Sequence, residues 1–120
     1  MNDLTKTQKS RVRKWTKALR SGEYKQCKGV LKRRQPAGHN TYCCLGVAIE
    51  VCGTQKEKKE LLSFRPGMRG RMDSNSASMP ATSQARLGLT FGLAGTLMNL
   101  NDTQKKSFKF IADYIEDQML

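Results

Sequence analysis

Histidine, acidic side chains and metal-ligand motifs are scarce in this sequence of 120 residues. His39 is the one histidine, Asp and Glu together number ten, and no two of the four cysteines have Cys-x-x-Cys spacing. The standard spacing of a zinc site is therefore absent, and we expect neither a metal nor another cofactor. We also find no phosphate-binding loop and no nucleophile elbow. These absences favour a protein that is not an enzyme, but they leave open a metal-free phosphodiesterase built from scattered residues.

Long apolar runs are absent as well. No segment approaches the roughly 18 apolar residues of a membrane span, and the first residues lack the apolar core of a signal peptide. We therefore expect a cytoplasmic protein with no membrane partner. The four cysteines, Cys27, Cys43, Cys44 and Cys52, would pair only in an oxidising compartment, so we expect reduced and mostly buried thiols.

Positive charge dominates the sequence and is concentrated towards one end. The chain has 22 Lys and Arg against ten acids, a formal net charge of +12. Residues 1–35 hold twelve of the cations against Asp3 and Glu23, a net +10, whereas residues 36–120 hold ten against eight acids, a net +2. This asymmetry indicates an anionic partner. The alternative is a charged surface that only keeps the chain soluble.

The beginning of the chain predicts an amphipathic helix over residues 6–20. Apolar residues recur at the helical spacing of i, i+3 and i+7, at Val12, Trp15 and Leu19. Candidate N-caps precede them, at Asp3, Thr5 and Thr7. Five cations fall in one band on another side of the helix: Lys6, Lys9, Arg13, Lys17 and Arg20. This band predicts either a cationic binding ridge or an ordinary solvated face.

The middle of the chain predicts a β-hairpin followed by a core helix. Residues 24–33 favour a short strand at a sheet edge, residues 36–40 a turn that leaves His39 exposed, and Thr41 to Cys43 a returning strand. The apolar run over residues 43–52 favours a buried helix, in which Gly46 would permit a close neighbour. Gly53 has the position of a helix-ending residue with left-handed backbone.

The second half predicts a loop and three further elements. Residues 63–81 have no apolar period and predict a long loop that contains three arginines, either a flexible surface loop or a mobile flap that closes on an anion. A short helix follows over residues 83–89, capped by Thr82 or Ser83, and a helix or strand over residues 91–100. The last helix, capped by Asp102 or Thr103, carries an apolar stripe at Phe108, Ile111, Ala112, Ile115 and Met119. The whole predicts a single α+β domain, in which N- and C-terminal helices and a core helix pack with a short β-hairpin.

Candidate ligand-binding residues are the cations of the first helix, those beside the turn and those of the predicted loop, with the rings near the basic segment. They are Lys9, Arg13, Trp15, Lys17, Arg20, Tyr24, Lys28, Arg33, Tyr42, Arg65, Arg69 and Arg71. Lysine and arginine attract phosphate, arginine adds bidentate geometry, and an aromatic ring can stack on a base.

Four fragments in this order resemble a family of small uncharacterised proteins encoded by tailed bacteriophages. They cover residues 15–26, 42–47, 100–102 and 107–116, and the run Tyr-Cys-Cys-Leu-Gly-Val at residues 42–47 is the most specific. The resemblance implies expression in the cytoplasm of an infected bacterium and an accessory role. Small phage accessory proteins often counter host defence, for example by sequestering the nucleotides that signal infection.

These observations leave several functions open. The first is a non-enzymatic binder of an anionic, nucleotide-like ligand, such as a host immune signalling nucleotide. The second is a basic accessory protein that binds DNA or RNA, and the third is an inhibitor that docks on an acidic host protein. An enzyme is the fourth. The sequence also leaves open a homo-oligomer.

Overall fold

A computed structural model describes residues 4–75 and 78–120, with the side chain of Met68 left out. The described residues form one α+β domain, as the sequence predicts. The helices are α1 (Lys6–Arg20), α2 (Cys44–Cys52), α3 (Gln55–Leu61), α4 (Ala81–Leu87), α5 (Phe91–Asp102) and α6 (Phe108–Met119). The strands are β1 (Lys25–Gln26), β2 (Lys32–Arg34), β3 (Asn40–Tyr42), β4 (Phe64–Pro66) and β5 (Met72–Ser74). None of these helices is long and apolar enough to cross a membrane.

Helix α1 has the predicted bounds. Thr5 caps it through a capping box, in which the Gln8 amide donates to Thr5 Oγ1 and the Thr5 amide donates to Gln8 Oε1. The predicted apolar stripe is buried against α2 and α6. Asp3, the alternative cap, lies outside the described residues.

The five strands form one sheet in the order β1-β3-β2-β5-β4. The predicted hairpin is present, because β2 and β3 pair in antiparallel fashion with Lys32 opposite Tyr42. The prediction of one edge strand over residues 24–33 is wrong. That segment forms two strands, and only β1 lies at the edge, while β2 is central because β5 pairs with its other side.

The prediction of a long loop over residues 63–81 is wrong for most of that segment. Strands β4 and β5 form an antiparallel hairpin there, with Phe64 opposite Ser74 and Pro66 opposite Met72. Each strand has only three residues, too few to show an alternating apolar pattern. Strand β5 also pairs with β2, which is distant in sequence.

Helix α2 lies in the core, as predicted, and Gly46 lets it approach the backbone before β2. A Cβ atom at Gly46 would lie 1.9 Å from the carbonyl oxygen of Leu31. Gly53 does follow the helix, but its backbone is extended, with a φ of −76°, so the expected left-handed ending is wrong.

The C-terminal helices follow the predicted order with different ends. Helix α6 begins after Ser107, which caps it. The predicted caps, Asp102 and Thr103, instead lie at the end of α5. Likewise α4 begins at Ala81, after Pro80 and before the expected caps. The apolar stripe of α6 is buried as predicted.

Candidate anion-binding surface

The pairing of the strands places three cations in one row across the sheet. Residues that pair across neighbouring strands point to the same face. From β1 to β4 the row consists of Lys25, Thr41, Arg33, Asp73 and Arg65. Asp73 is the one carboxylate of this row. Alternation along β2 puts Lys32 and Arg34 on the other face, where Lys32 is buried near Glu50 of α2 and Arg34 is exposed over the ring of Phe64.

Asp73 binds Arg33 at the centre of the row. Arg33 Nε donates to Asp73 Oδ1 at 2.7 Å, and Arg33 Nη2 donates to the carbonyl oxygen of Lys28 at 3.1 Å. The two side chains are only 14% and 12% exposed. This pair therefore fixes the guanidinium of Arg33 against the sheet, next to the exposed Lys28.

A second arginine approaches the same carboxylate without a hydrogen bond to it. Arg71 Nε lies 3.9 Å from Asp73 Oδ1, and this nitrogen is buried with no hydrogen-bond partner among the described residues. Arg65, opposite Asp73 on β4, is exposed. Asp73 therefore accepts a hydrogen bond from Arg33 and lies near Arg71, while Arg65 is its pairing partner on β4.

We call this surface the arginine face and define it by Lys25, Lys28, Arg33, Arg65 and Arg71. It joins cations from the first basic segment to cations of the β4–β5 hairpin. Guanidinium groups bind phosphate oxygens with two parallel N–H donors, so the exposed Arg65 and the partly exposed Arg71 suit a phosphate ligand.

A family model described as a domain of unknown function, DUF8296, matches residues 8–84, more than half of the chain. The chain belongs to the DUF8296 family. The matched segment runs from α1 into α4 and includes every residue of the arginine face. Comparison with curated proteins and with solved structures found no match.

The predicted cationic ridge of this DUF8296 domain lies on α1 and is separate from the arginine face. Its last member is paired, since Arg20 contacts Asp113 at 2.5 Å and Glu116 at 2.6 Å on α6. Hydrogen bonding to Glu116 and then to Asp113 raises the pKa of Arg20. The other ridge cations form no ion pair with the described carboxylates; they are Lys6, Lys9, Arg13 and Lys17.

Two of the rings expected to stack on a base are not accessible. Trp15 is fully buried and its indole Nε1 donates to the carbonyl oxygen of Cys44 at 2.9 Å. Tyr42 is 8% exposed, and Tyr24 packs against it edge to face with 5.4 Å between ring centroids. The assignments of Trp15 and Tyr42 as ligand-binding residues are therefore corrected, because both rings serve the core. Tyr24 keeps a partly exposed ring.

Lys32 is buried on the face of the sheet opposite the arginine face. The sequence did not distinguish this lysine from its exposed basic neighbours. Lys32 Nζ lies 5.3 Å from the ring centroid of Tyr42, 6.0 Å from that of Phe64 and 3.9 Å from Glu50 Oε2. Burial lowers the pKa of Lys32, while the charge of Glu50 opposes this. Burial also raises the pKa of Tyr42 to about 12. Because successive side chains of a strand point to opposite faces, the predicted strand could have indicated that Lys32 and Arg33 lie on different faces of the sheet.

The remaining candidates do not form a reactive centre in the described part of the chain. His39 is exposed in the turn between β2 and β3. All four thiols are free, and three are buried. Burial raises the pKa of Cys43 to about 12, which keeps this thiol protonated at neutral pH. No group of three metal-ligating side chains occurs within residues 4–75 and 78–120.

Proposed function

We propose that this DUF8296 protein binds nucleic acid without modifying it, and that the arginine face contacts the phosphate backbone. The observation that carries the proposal is the row in which Lys25, Arg33 and Arg65 cross the sheet with Asp73 as the one carboxylate. Phosphate contacts by Lys and Arg supply most non-specific affinity for nucleic acid. A net charge of +12 would also speed the encounter with a polyanion.

The shape of the surface favours a polymer over a single nucleotide. The exposed cations of the arginine face, Lys25, Lys28 and Arg65, lie on three separate segments, while Arg33 is only 14% exposed. The burial of Trp15 and Tyr42 removes two of the three rings that were candidates for stacking. A cavity of about 270 Å³ beside β5 is lined by Glu57 and Glu60, which disfavour an anionic ligand there. A nucleotide-like ligand therefore becomes the alternative outcome of the test.

The proposal keeps the setting that the resemblance implies. We propose an accessory role in the cytoplasm of an infected bacterium, where the protein would bind host or phage nucleic acid. This part rests on the sequence resemblance alone.

Fluorescence anisotropy with a labelled 20-base-pair duplex tests the proposal, with a mononucleotide as the competing ligand. We expect duplex binding that weakens steeply with salt, and no competition by millimolar mononucleotide. Tight mononucleotide binding with a shallow salt dependence would instead support the nucleotide-like ligand. Binding of neither ligand would overturn the proposal.

A charge-matched pair of variants locates the contact. Lys25→Gln with Arg65→Gln removes two exposed cations of the arginine face, and we expect at least about tenfold weaker duplex binding from two lost phosphate contacts. Lys14→Gln with Lys56→Gln removes the same charge from α1 and α3, and we expect at most about a twofold change. Lys56 also lines a groove on α3 with two other lysines, so this control tests that surface as well. Equal losses in the two variants would contradict the assignment.

A further inference from the structure

The cavity of about 270 Å³ between α3 and β5 is lined by charge of one sign. Its charged residues are Glu57 and Glu60, which lie one turn apart on α3. Two other cavities on the same helix differ from it, because Lys56 lines both of them. In a chain with a net charge of +12, this acidic lining therefore suits a ligand of positive charge.

The walls of this cavity are largely apolar. Leu31, Ile49 and Leu61 are buried core residues, and they line it together with Pro80. The volume equals that of about nine molecules of liquid water. Apolar walls with a few polar groups are typical of sites for small organic ligands. A ligand with an apolar body would displace water from these walls, which a bare inorganic cation would not do.

Hydrogen bonds fix the carboxylate of Glu57 beside the cavity. The amide of Thr54 donates to Glu57 Oε1 at 2.7 Å, and Ser83 Oγ donates to Oε2 at 2.8 Å. Burial alone would raise the pKa of Glu57, but its hydrogen bonds outweigh burial and lower the pKa. Arg86 Nε lies 3.7 Å from Oε1 and offsets part of the negative charge, although Arg86 does not line this cavity. Glu57 is therefore a fixed and ionised group at neutral pH.

Glu60 supplies negative charge that no cation offsets. It is exposed and forms no ion pair within residues 4–75 and 78–120. A metal ion would find few ligands here, because the described part of the chain holds no group of three metal-ligating side chains. An ammonium or guanidinium group instead carries several N–H donors that carboxylate oxygens accept.

We propose that this cavity binds a small organic cation, whose ammonium or guanidinium group meets Glu60 and Glu57 while its apolar body lies against the apolar walls. Free alkylamines share this chemistry with the lysine and arginine side chains of other proteins. The cavity does not involve the arginine face, so this proposal and the proposed function can fail independently.

An NMR titration of the isotope-labelled protein with hexylamine tests the inference. Ser63 and Asn75 line the cavity, and we expect saturable shifts of their amide signals. Hexanol should bind at least about tenfold more weakly, because it lacks the charge-assisted hydrogen bonds. Ethylamine, which has four fewer CH₂ groups, should also bind at least about tenfold more weakly. Hexanoate, the anion of similar size, should not bind.

Two charge-matched variants locate the cation. Glu60→Gln should weaken hexylamine binding about three- to fivefold and leave hexanol binding unchanged, because only the exposed carboxylate is lost. Glu23→Gln removes an exposed carboxylate after α1, and hexylamine binding should change by less than about twofold.

A capped tripeptide with a central lysine distinguishes the two sources of the ligand. Binding as tight as that of hexylamine would assign the cavity to a side chain of a partner protein, and much weaker binding would assign it to a free amine. Equal affinities for hexylamine and hexanol would overturn the inference, as would hexylamine binding that is unaffected by Glu60→Gln. The absence of shifts at Ser63 and Asn75 with millimolar hexylamine would also overturn it. Because the titration contains no nucleic acid, none of these results bears on the arginine face.

Discussion

At the scale of single residues, Asp73 sets how many guanidinium groups are free to bind an anion. It accepts a hydrogen bond from Arg33 and lies 3.9 Å from Arg71 Nε. In Asp73→Asn we expect duplex affinity to rise by about three- to tenfold, because one opposing charge is lost and Arg33 is freed. Loss of the charged hydrogen bond should lower the free energy of unfolding by about 1–2 kcal/mol. Anisotropy and urea denaturation measure the two effects.

Asp113→Asn is the matched control for that prediction. It raises the net charge by the same amount, but on α6 beside Arg20. We expect duplex affinity to change by less than about twofold in this variant. An equal gain in affinity from both variants would mean that net charge alone governs binding.

Asn101 connects three segments through its buried side chain. Its Oδ1 accepts from Gln26 Nε2 at 2.8 Å and from the amide of Cys44 at 3.2 Å, while its Nδ2 donates to the carbonyl oxygen of Cys27 at 2.8 Å. Asn101→Ala should lower the free energy of unfolding by about 2–4 kcal/mol, since it leaves buried partners unsatisfied. Asn99→Ala, at an exposed site on the same helix, should cost less than about 1 kcal/mol by urea denaturation.

Residue roles were predictable where they depend on local spacing and were not predictable where they depend on distant partners. The apolar spacing of α1 already placed Trp15 on the core side, yet its ring was also offered as one that could stack on a base. The pairs of Arg20 with Asp113 and Glu116 join residues more than 90 positions apart. No local pattern indicates such pairs, so Arg20 was expected to be a free cation.

At the scale of elements, helices were predicted better than strands. Helix α1 extends over four turns, and its apolar stripe repeats often enough to fix both ends. The strands have two or three residues each, and β5 also pairs with β2, which is distant in sequence. The arginine face depends on that pairing. Four of its cations were candidate ligand-binding residues, but Lys25 was missed, and the assembly of the five into one surface was not predicted.

Two helical glycines give opposite predictions for the same substitution. Gly46→Ala places a methyl group against the Leu31 carbonyl and should lower the free energy of unfolding by about 1–3 kcal/mol. Gly95→Ala meets nothing within 4 Å and should raise it by about 0.5–1 kcal/mol, because alanine favours the helix. Urea denaturation compares them, and destabilisation by both variants would contradict the described packing.

The contact between α1 and α6 should depend on pH. Hydrogen bonds from Arg20 and then from Thr16 lower the pKa of Glu116 from its ordinary 4.5. A lowered carboxyl pKa stabilises the fold above pH 4.5, and this contribution is lost as the pH falls through the lowered value. At pH 7, Glu116→Gln should therefore lower the free energy of unfolding by about 1 kcal/mol, allowing for its partial exposure.

The difference between the wild type and Glu116→Gln should disappear in acid, which thermal unfolding from pH 7 to pH 3 measures. Asp117→Asn removes a charge from the same helix at an exposed site that forms no ion pair with the described residues. For this control we expect a difference in stability from the wild type that does not change with pH. If the difference in stability between the wild type and Glu116→Gln stays constant down to pH 3, the role assigned to the Glu116 carboxylate is wrong.

At the scale of the whole molecule, the fold redistributes a charge that the sequence concentrates at one end. Residues 1–35 hold most of the net charge, yet Arg65 and Arg71 join Lys25, Lys28 and Arg33 on one surface. The cations of α1 form a second, separate region. The sequence therefore indicates an anionic partner, which stays a prediction, but it does not indicate the surface that would meet that partner.

The slope of the logarithm of the duplex binding constant against the logarithm of salt concentration tests the central claim most directly. Each phosphate contact contributes a slope of about −0.9. The Lys25→Gln, Arg65→Gln variant should therefore lose about 1.8 of the wild-type slope, whereas Lys14→Gln, Lys56→Gln should retain it. An unchanged slope in the first variant would contradict the claim that the arginine face contacts the phosphate backbone.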